Sequence, residues 1–95
     1  MATELPALKV STGWIEVEIV SEAKVALTFR GYAPIVDIKV LQSGLVKPLY
    51  IGAKSLSLQL EALRNKNGGL FSGVRMRLRK ESDEKTSPYV VEALD

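Results

Sequence analysis

Apolar and polar residues alternate along most of this chain, and alternation with a period of two is the pattern of half-buried β-strands. Short clusters of glycine, proline, serine and charged residues separate the alternating stretches and are typical of turns. The pattern predicts five strands, over residues 14–19, 24–30, 36–40, 74–80 and 89–91. A short sixth strand over residues 45–51 would lie at an edge, because Pro48 cannot donate a hydrogen bond in a central ladder.

The first two strands are separated by a short polar turn and are expected to pair as a hairpin. Such a hairpin would set Glu16 and Glu18 near Lys24 on the outer face, which is a favourable cross-strand arrangement. Gly31 and Pro34 are expected to end the second strand. On the opposite face three apolar side chains would enter the core, namely Val25, Leu27 and Phe29.

Residues 53–66 are the best helix candidate in the chain. Leu56, Leu60 and Leu63 recur at helical spacing, and Gly68-Gly69 supplies a C-terminal stop. Residues 55–60 also alternate with a period of two, so that a strand is the competing interpretation of this segment.

Together these elements predict an α+β fold, a curved and mainly antiparallel sheet of about five strands with one amphipathic helix, in the order β-β-β-(β)-α-β-β. A chain of 95 residues supports one core, so we expect a single domain over residues 14–95 after a flexible N-terminal arm over residues 1–13. One helix covers only part of such a sheet. Either the sheet curls on itself or a second copy completes the cover, and we expect a homodimer.

The composition excludes several classes of function. The chain has no cysteine and no histidine, which removes disulfides, thiolate nucleophiles, the usual zinc sites and the standard general base at neutral pH. We therefore expect no catalytic residues, no metal and no cofactor, and a protein that binds a partner rather than a small-molecule substrate. No apolar run approaches the length of a membrane span, and no signal-peptide pattern is present, so a cytoplasmic protein without membrane contact is expected. Few amide side chains beside many lysines, glutamates and arginines are typical of thermophiles.

Charge is unevenly distributed along the chain. Residues 64–80 carry six basic groups and no acidic one, whereas residues 81–95 carry five acidic groups and one basic. Arg75, Arg77 and Arg79 alternate with apolar residues and would project from one face of their strand. Guanidinium groups hold phosphates in bidentate pairs and stack on bases, so the pattern favours single-stranded nucleic acid as the ligand.

Further basic and aromatic residues extend this candidate surface. Exposed aromatic rings stack on bases, and Trp14 shares the outward register of Glu16 and Glu18. The candidate nucleic-acid-binding residues are Arg75, Arg77, Arg79, Lys80, Arg64, Arg30, Trp14, Tyr32 and Phe71. Two other interpretations remain open: a solvated face that is ion-paired, for example with the acidic loop 81–84, and an interface for another protein.

The segment GGLFSGVRMRLRK at residues 68–80, followed by the acidic loop and Tyr-Val-Val-Glu at residues 89–92, comes after a single leucine-rich helix. This C-terminal half resembles archaeal single-stranded DNA-binding proteins of the non-OB, ThermoDBP-related kind. The resemblance implies sequence-tolerant binding of single strands through Arg75, Arg77 and Arg79. An OB-fold single-strand binder is a related possibility, since that barrel also carries a helix between strands.

Overall fold

The computed structural model describes residues 8–28, 31–84 and 87–94. Within them the chain forms one open antiparallel sheet and a single helix, which confirms the predicted α+β fold. The elements are β1 (Ile15–Ile19), β2 (Lys24–Thr28), β3 (Gly31–Val40), β4 (Val46–Tyr50), α1 (Lys54–Lys66), β5 (Arg75–Lys80) and β6 (Tyr89–Ala93).

The long strand β3 organises the sheet by pairing on both of its edges. Ile35 pairs with Lys24 of β2 and with Tyr50 of β4, while Ile38 pairs with Ile19 of β1 and with Lys47 of β4. A strand has two edges, and β4 occupies one edge of β3 at both Ile35 and Ile38. β1 and β2 therefore lie end to end along the other edge of β3. β5 then pairs with β1, and β6 pairs with β5.

This arrangement corrects the predicted hairpin between the first two strands. β1 pairs with β3 and β5 instead of β2, so Glu18 lies beside Lys39 and Arg75 rather than Lys24. β2 instead pairs with β3, from Thr28 opposite Gly31 to Lys24 opposite Ile35. β2 ends at Thr28, before Gly31, which is the first residue of β3, whereas Pro34 lies within β3 and ends no strand.

The expected burial of the second strand is also wrong where the structure describes it. Val25 is 68% exposed and Leu27 is 56% exposed, and neither belongs to the core cluster that contains Leu56 and Leu60 of the helix. Phe29 and Arg30, the remaining predictions for this hairpin, lie outside the described residues.

The helix α1 packs on one face of the sheet and builds the core there. Its segment 54–60 is helical, which resolves the competing strand interpretation, and Gly68 and Gly69 follow it with positive φ angles of 70° and 84°. Leu56 and Leu60 are fully buried against the inner face. The fully buried sheet side chains of the same core cluster are Val17, Ile19, Val36, Ile38, Met76 and Leu78.

Two of the sheet edges are covered. At β4, the prediction of an edge strand with Pro48 is confirmed, and the Leu8 N–H donates to the Pro48 carbonyl at 2.8 Å. Leu8 packs against the core and Val10 belongs to it; residues 1–7 of the predicted arm lie outside the described residues. At β6, the Gln59 side chain donates to the Tyr89 carbonyl and accepts from the Val91 N–H.

Candidate nucleic-acid interface

The three arginines of β5 project from the face of the sheet opposite the helix, called the outer face below. Met76 and Leu78 are fully buried on the inner face, so the alternation of the strand places Arg75, Arg77 and Arg79 outward. The predicted division of this strand into an apolar and a basic face is confirmed.

Carboxylates from the neighbouring strands lie between these arginines. The Arg75 Nε donates to Glu18 of β1 at 3.1 Å, and the Arg77 guanidinium bonds the Glu92 carboxylate of β6 through Nε and Nη2. Glu16 is also the cross-strand partner of Arg77. Charges that are segregated along the chain are therefore interleaved across the sheet, and the outer face is an alternating charge ladder.

The acidic loop does not supply these partners. Among the described residues, the ion pairs of the β5 arginines are with Glu18 and Glu92 and none is with residues 81–84. The loop instead bonds within itself: the Ser82 N–H donates to the Ser87 hydroxyl, and the Ser87 N–H donates to the Glu84 carbonyl.

A tryptophan cluster lies at one end of the outer face, formed by Trp14, Arg77 and Arg79. The guanidinium carbon of Arg77 is 4.3 Å from the centre of the Trp14 ring system, and that of Arg79 is 5.1 Å from it. Both distances are within the range of cation–π attraction. Trp14 nevertheless stays 40% exposed, so the two cations lie against an aromatic residue that remains open to solvent.

Arg79 differs from the other two arginines in its partners. Its Nη1 donates to the Lys80 carbonyl at 3.2 Å, and in the part of the chain that the structure describes it has no carboxylate partner. A positive charge without a carboxylate partner therefore lies beside the exposed ring.

A shallow, open depression of about 420 Å³ adjoins the tryptophan ring. Trp14, Glu16, Leu41 and Gln42 line it. The depression thus combines an aromatic surface with a carboxylate and an amide, the groups that hydrogen-bond to the edges of bases.

Lys80 and Tyr32 do not lie on the outer face, contrary to the predicted surface. Lys80 lies on the same side of β5 as the buried Met76 and Leu78, and its ammonium nitrogen is 5.6 Å from the centre of the Tyr89 ring. Tyr32 is 78% exposed and lies on the same side of β3 as the core residue Val36, which is the inner face.

Arg64, in the last turn of α1, and Phe71, in the loop after it, form a separate pair. The Arg64 guanidinium carbon is 5.3 Å from the centre of the Phe71 ring, and its Nε donates to the Gly69 carbonyl at 2.9 Å. Among the described contacts, no hydrogen bond, ion pair or ring contact joins this pair to the arginines of β5. The pair stabilises the loop before β5 and is not part of the tryptophan cluster.

Glu22 also contacts this loop. Its carboxylate accepts from the Ser72 N–H at 2.8 Å and from the Phe71 N–H at 3.1 Å. These backbone hydrogen bonds, the Ser72 bond first, lower the pKa of Glu22 below its ordinary value of 4.5, and the positive charge of Arg64 acts in the same direction. Sequence reasoning missed this contact because the two segments are about fifty residues apart.

The Glu22→Gln substitution should lower stability at neutral pH, since it removes the charge and one of the two acceptors. A carboxyl group with a lowered pKa in the folded state contributes fully above the ordinary value of 4.5, and its contribution is lost as the pH falls through the folded-state pKa. The urea midpoints of the two proteins should therefore differ above pH 4.5 and converge as the pH falls through the lowered folded-state pKa of Glu22. A difference that persists at low pH, or an equal loss in Glu61→Gln on the exposed side of the helix, would contradict this account.

Two classes of feature are absent from the described residues. No helix within residues 8–28, 31–84 and 87–94 is long and apolar enough to cross a membrane. The same residues contain no group of three or more acidic side chains that is arranged to hold a metal ion.

Comparisons with protein-family models, with curated proteins and with solved structures found no match to this chain.

Proposed function

We propose that this chain is a non-catalytic protein that binds single-stranded nucleic acid on the outer face of its sheet, with Trp14 as the stacking surface. The observation that carries the proposal is the tryptophan cluster, in which two guanidinium groups lie within cation–π range of a tryptophan that stays exposed. Single-strand binders combine aromatic side chains that stack on bases with cations that follow the backbone.

Each member of the cluster has a distinct role in this proposal. A base stacks on the free side of Trp14 and enters the depression bordered by Glu16 and Gln42. Arg79, which has no carboxylate partner among the described residues, takes the nearest phosphate. Arg77 and Arg75 reach the following phosphates by exchanging their carboxylate partners for them.

A fluorescence anisotropy titration tests the proposal. A labelled single strand of about 20 nucleotides is titrated with protein at 50 and 200 mM salt. If about three phosphates are neutralised, the logarithm of the binding constant should fall with the logarithm of salt with a slope near −2, or roughly twentyfold between the two conditions. The folded triple variant Arg75→Ala, Arg77→Ala and Arg79→Ala should not bind. Affinity that is independent of salt, or retained in the triple variant, would refute the proposal.

The alternating charge ladder of the outer face leads to a further prediction. Glu92 competes with phosphate for Arg77, so Glu92→Gln should strengthen binding. An exposed ion pair is worth about 0.2–1 kcal/mol, which corresponds to an increase in affinity of up to about fivefold. The control is Glu61→Gln, which removes the same charge from the exposed side of the helix. Equal effects of both substitutions in the anisotropy assay would show that net charge alone is responsible.

The alternating charge ladder of the outer face also supports a second candidate function. Alternating charges across an outer face are suited to a protein partner with a complementary pattern, because such patterns fix register and exclude other partners. In that case the protein binds no single strand at 50 mM salt, and charge reversal at Glu18 and Arg75 weakens association with the partner instead.

We also propose that the chain acts as a homodimer. The helix covers the core part of the sheet and leaves the β2–β3 hairpin with exposed apolar side chains. Exposed apolar clusters on small proteins are typical of interaction surfaces.

A further inference from the structure

Strand β2 has one edge without a partner among the described residues. It pairs with β3 on one side, and none of the backbone hydrogen bonds of the described segments reaches its other side. Unpaired strand edges attract other strands, and natural proteins protect them with proline, charges or covering segments.

The other outer strands of this sheet carry such protection, which makes β2 the exception. The edge of β4 contains Pro48 and accepts a hydrogen bond from Leu8. The edge of β6 is satisfied by side chains of the helix: Gln59 bonds Tyr89 and Val91, and the Ser55 hydroxyl accepts from the Tyr89 N–H. β2 has one charged residue, Lys24, and its ammonium group is paired with Asp37 at 2.6 Å.

The pairing with β3 determines which groups of β2 face the open edge. The Pro34 carbonyl accepts from Ile51, so the backbone groups of Pro34 face the β4 side of β3. Its partner Val25 therefore has its N–H and C=O turned away from β3, and Leu27, opposite Tyr32, has the same parity. The open edge offers two donors and two acceptors, at Val25 and Leu27.

We propose that the open edge of β2 pairs antiparallel with the β2 of a second copy of this chain, which joins two sheets into one continuous sheet. The register that pairs all five residues of β2 places the two-fold axis at Ala26. Val25 then exchanges both backbone hydrogen bonds with Leu27 of the second copy, and Leu27 does so with its Val25. The proposal rests on the homodimer proposed above and is independent of nucleic-acid binding.

Side chains and charges fit this self-association. Val25 and Leu27 lie on one side of the hairpin with Tyr32 and Pro34, so the pairing merges two exposed apolar clusters. In the antiparallel register the two Lys24 residues lie at opposite ends of the paired strands, where they do not repel each other. A parallel pairing would bring them together.

Two leucines of matched exposure provide the variants for a test by sedimentation or light scattering without nucleic acid. Leu27, in β2, is 56% exposed, and Leu58, on the helix, is 58% exposed. The wild type and Leu58→Lys should have the mass of a dimer at high protein concentration. Leu27→Lys should be monomeric, because the substitution puts a charge into the merged apolar cluster.

A cysteine at the two-fold axis tests the register. The chain has no cysteine, so Ala26→Cys carries a single thiol. In the proposed register the two Ala26 residues form a pair without backbone hydrogen bonds, with Cα atoms about 4.5 Å apart, within the range that a disulfide spans. Mild oxidation should give a covalent dimer of Ala26→Cys and none of Leu58→Cys.

The outcomes distinguish the proposed β2 interface from the more general proposal of a homodimer. A wild type that stays monomeric at all concentrations would overturn both proposals. A dimer that survives in Leu27→Lys, or one in which Ala26→Cys does not crosslink, would overturn the β2 interface and leave the homodimer standing. Neither result depends on whether the outer face binds nucleic acid.

Discussion

The Trp14→Ala substitution is expected to weaken the binding of single-stranded nucleic acid by about five- to one-hundred-and-fifty-fold. Stacking of one base on an aromatic side chain is worth about 1–3 kcal/mol by alanine substitution, and each 1.4 kcal/mol changes affinity tenfold. Truncation also releases Arg77 and Arg79 from the ring that orients them, so phosphate contacts lose their fixed geometry as well. Trp14→Phe should retain most of the affinity, because it keeps an aromatic surface.

Tyr50 offers a control of equal exposure on the same face. Both residues are 40% exposed, but Tyr50 lies on β4 and has no arginine ring contact among the described residues. Tyr50→Ala should change affinity less than twofold if the tryptophan cluster is the binding site. A comparable loss in both variants would show that the site extends across the face or that general exposure of aromatic rings is responsible.

The Leu60→Ala substitution is expected to cost about 2–5 kcal/mol of the free energy of unfolding. Leu60 is fully buried at the contact between the helix and the sheet, and truncation leaves a cavity in a core that one helix closes. A domain of this size has a total stability of about 5–15 kcal/mol, so the loss is a large part of it.

Leu58→Ala is the matched control for this measurement. Leu58 lies on the same helix, two residues away, and is exposed. Its truncation should change stability by less than about 0.5 kcal/mol. Urea unfolding followed by circular dichroism measures both, and similar midpoints for the two variants would contradict the observed burial of the inner helix face.

The strands and the helix were predictable from the sequence because their patterns are local. Alternation of Arg75 to Lys80 and the leucine spacing of α1 predicted their elements and their buried faces correctly. Strand pairing was not predictable in the same way. The polar turn after Ile19 is compatible with a hairpin, but the chain instead continues along the same edge of β3, and β1 pairs with β3 and β5.

For the candidate site too, the sequence predicted the orientation of a residue within its strand but not its contacts with distant residues. The outward position of Trp14 follows from alternation within its own strand. Its contact with Arg79 and the pairing of Glu18 with Arg75 follow from the β1–β5 register, which joins residues about sixty positions apart. For that reason the charge segregation seen along the chain overstated how basic the outer face is.

The fluorescence of Trp14 is the most direct test of nucleic-acid binding at the outer face. The chain contains one tryptophan, so its intrinsic emission reports on the tryptophan cluster alone. Addition of an unlabelled single strand at 50 mM salt should quench this emission in step with the anisotropy change, and 200 mM salt should reverse most of it. Binding that leaves the emission of Trp14 unchanged, or no binding at 50 mM salt, would contradict the proposed function.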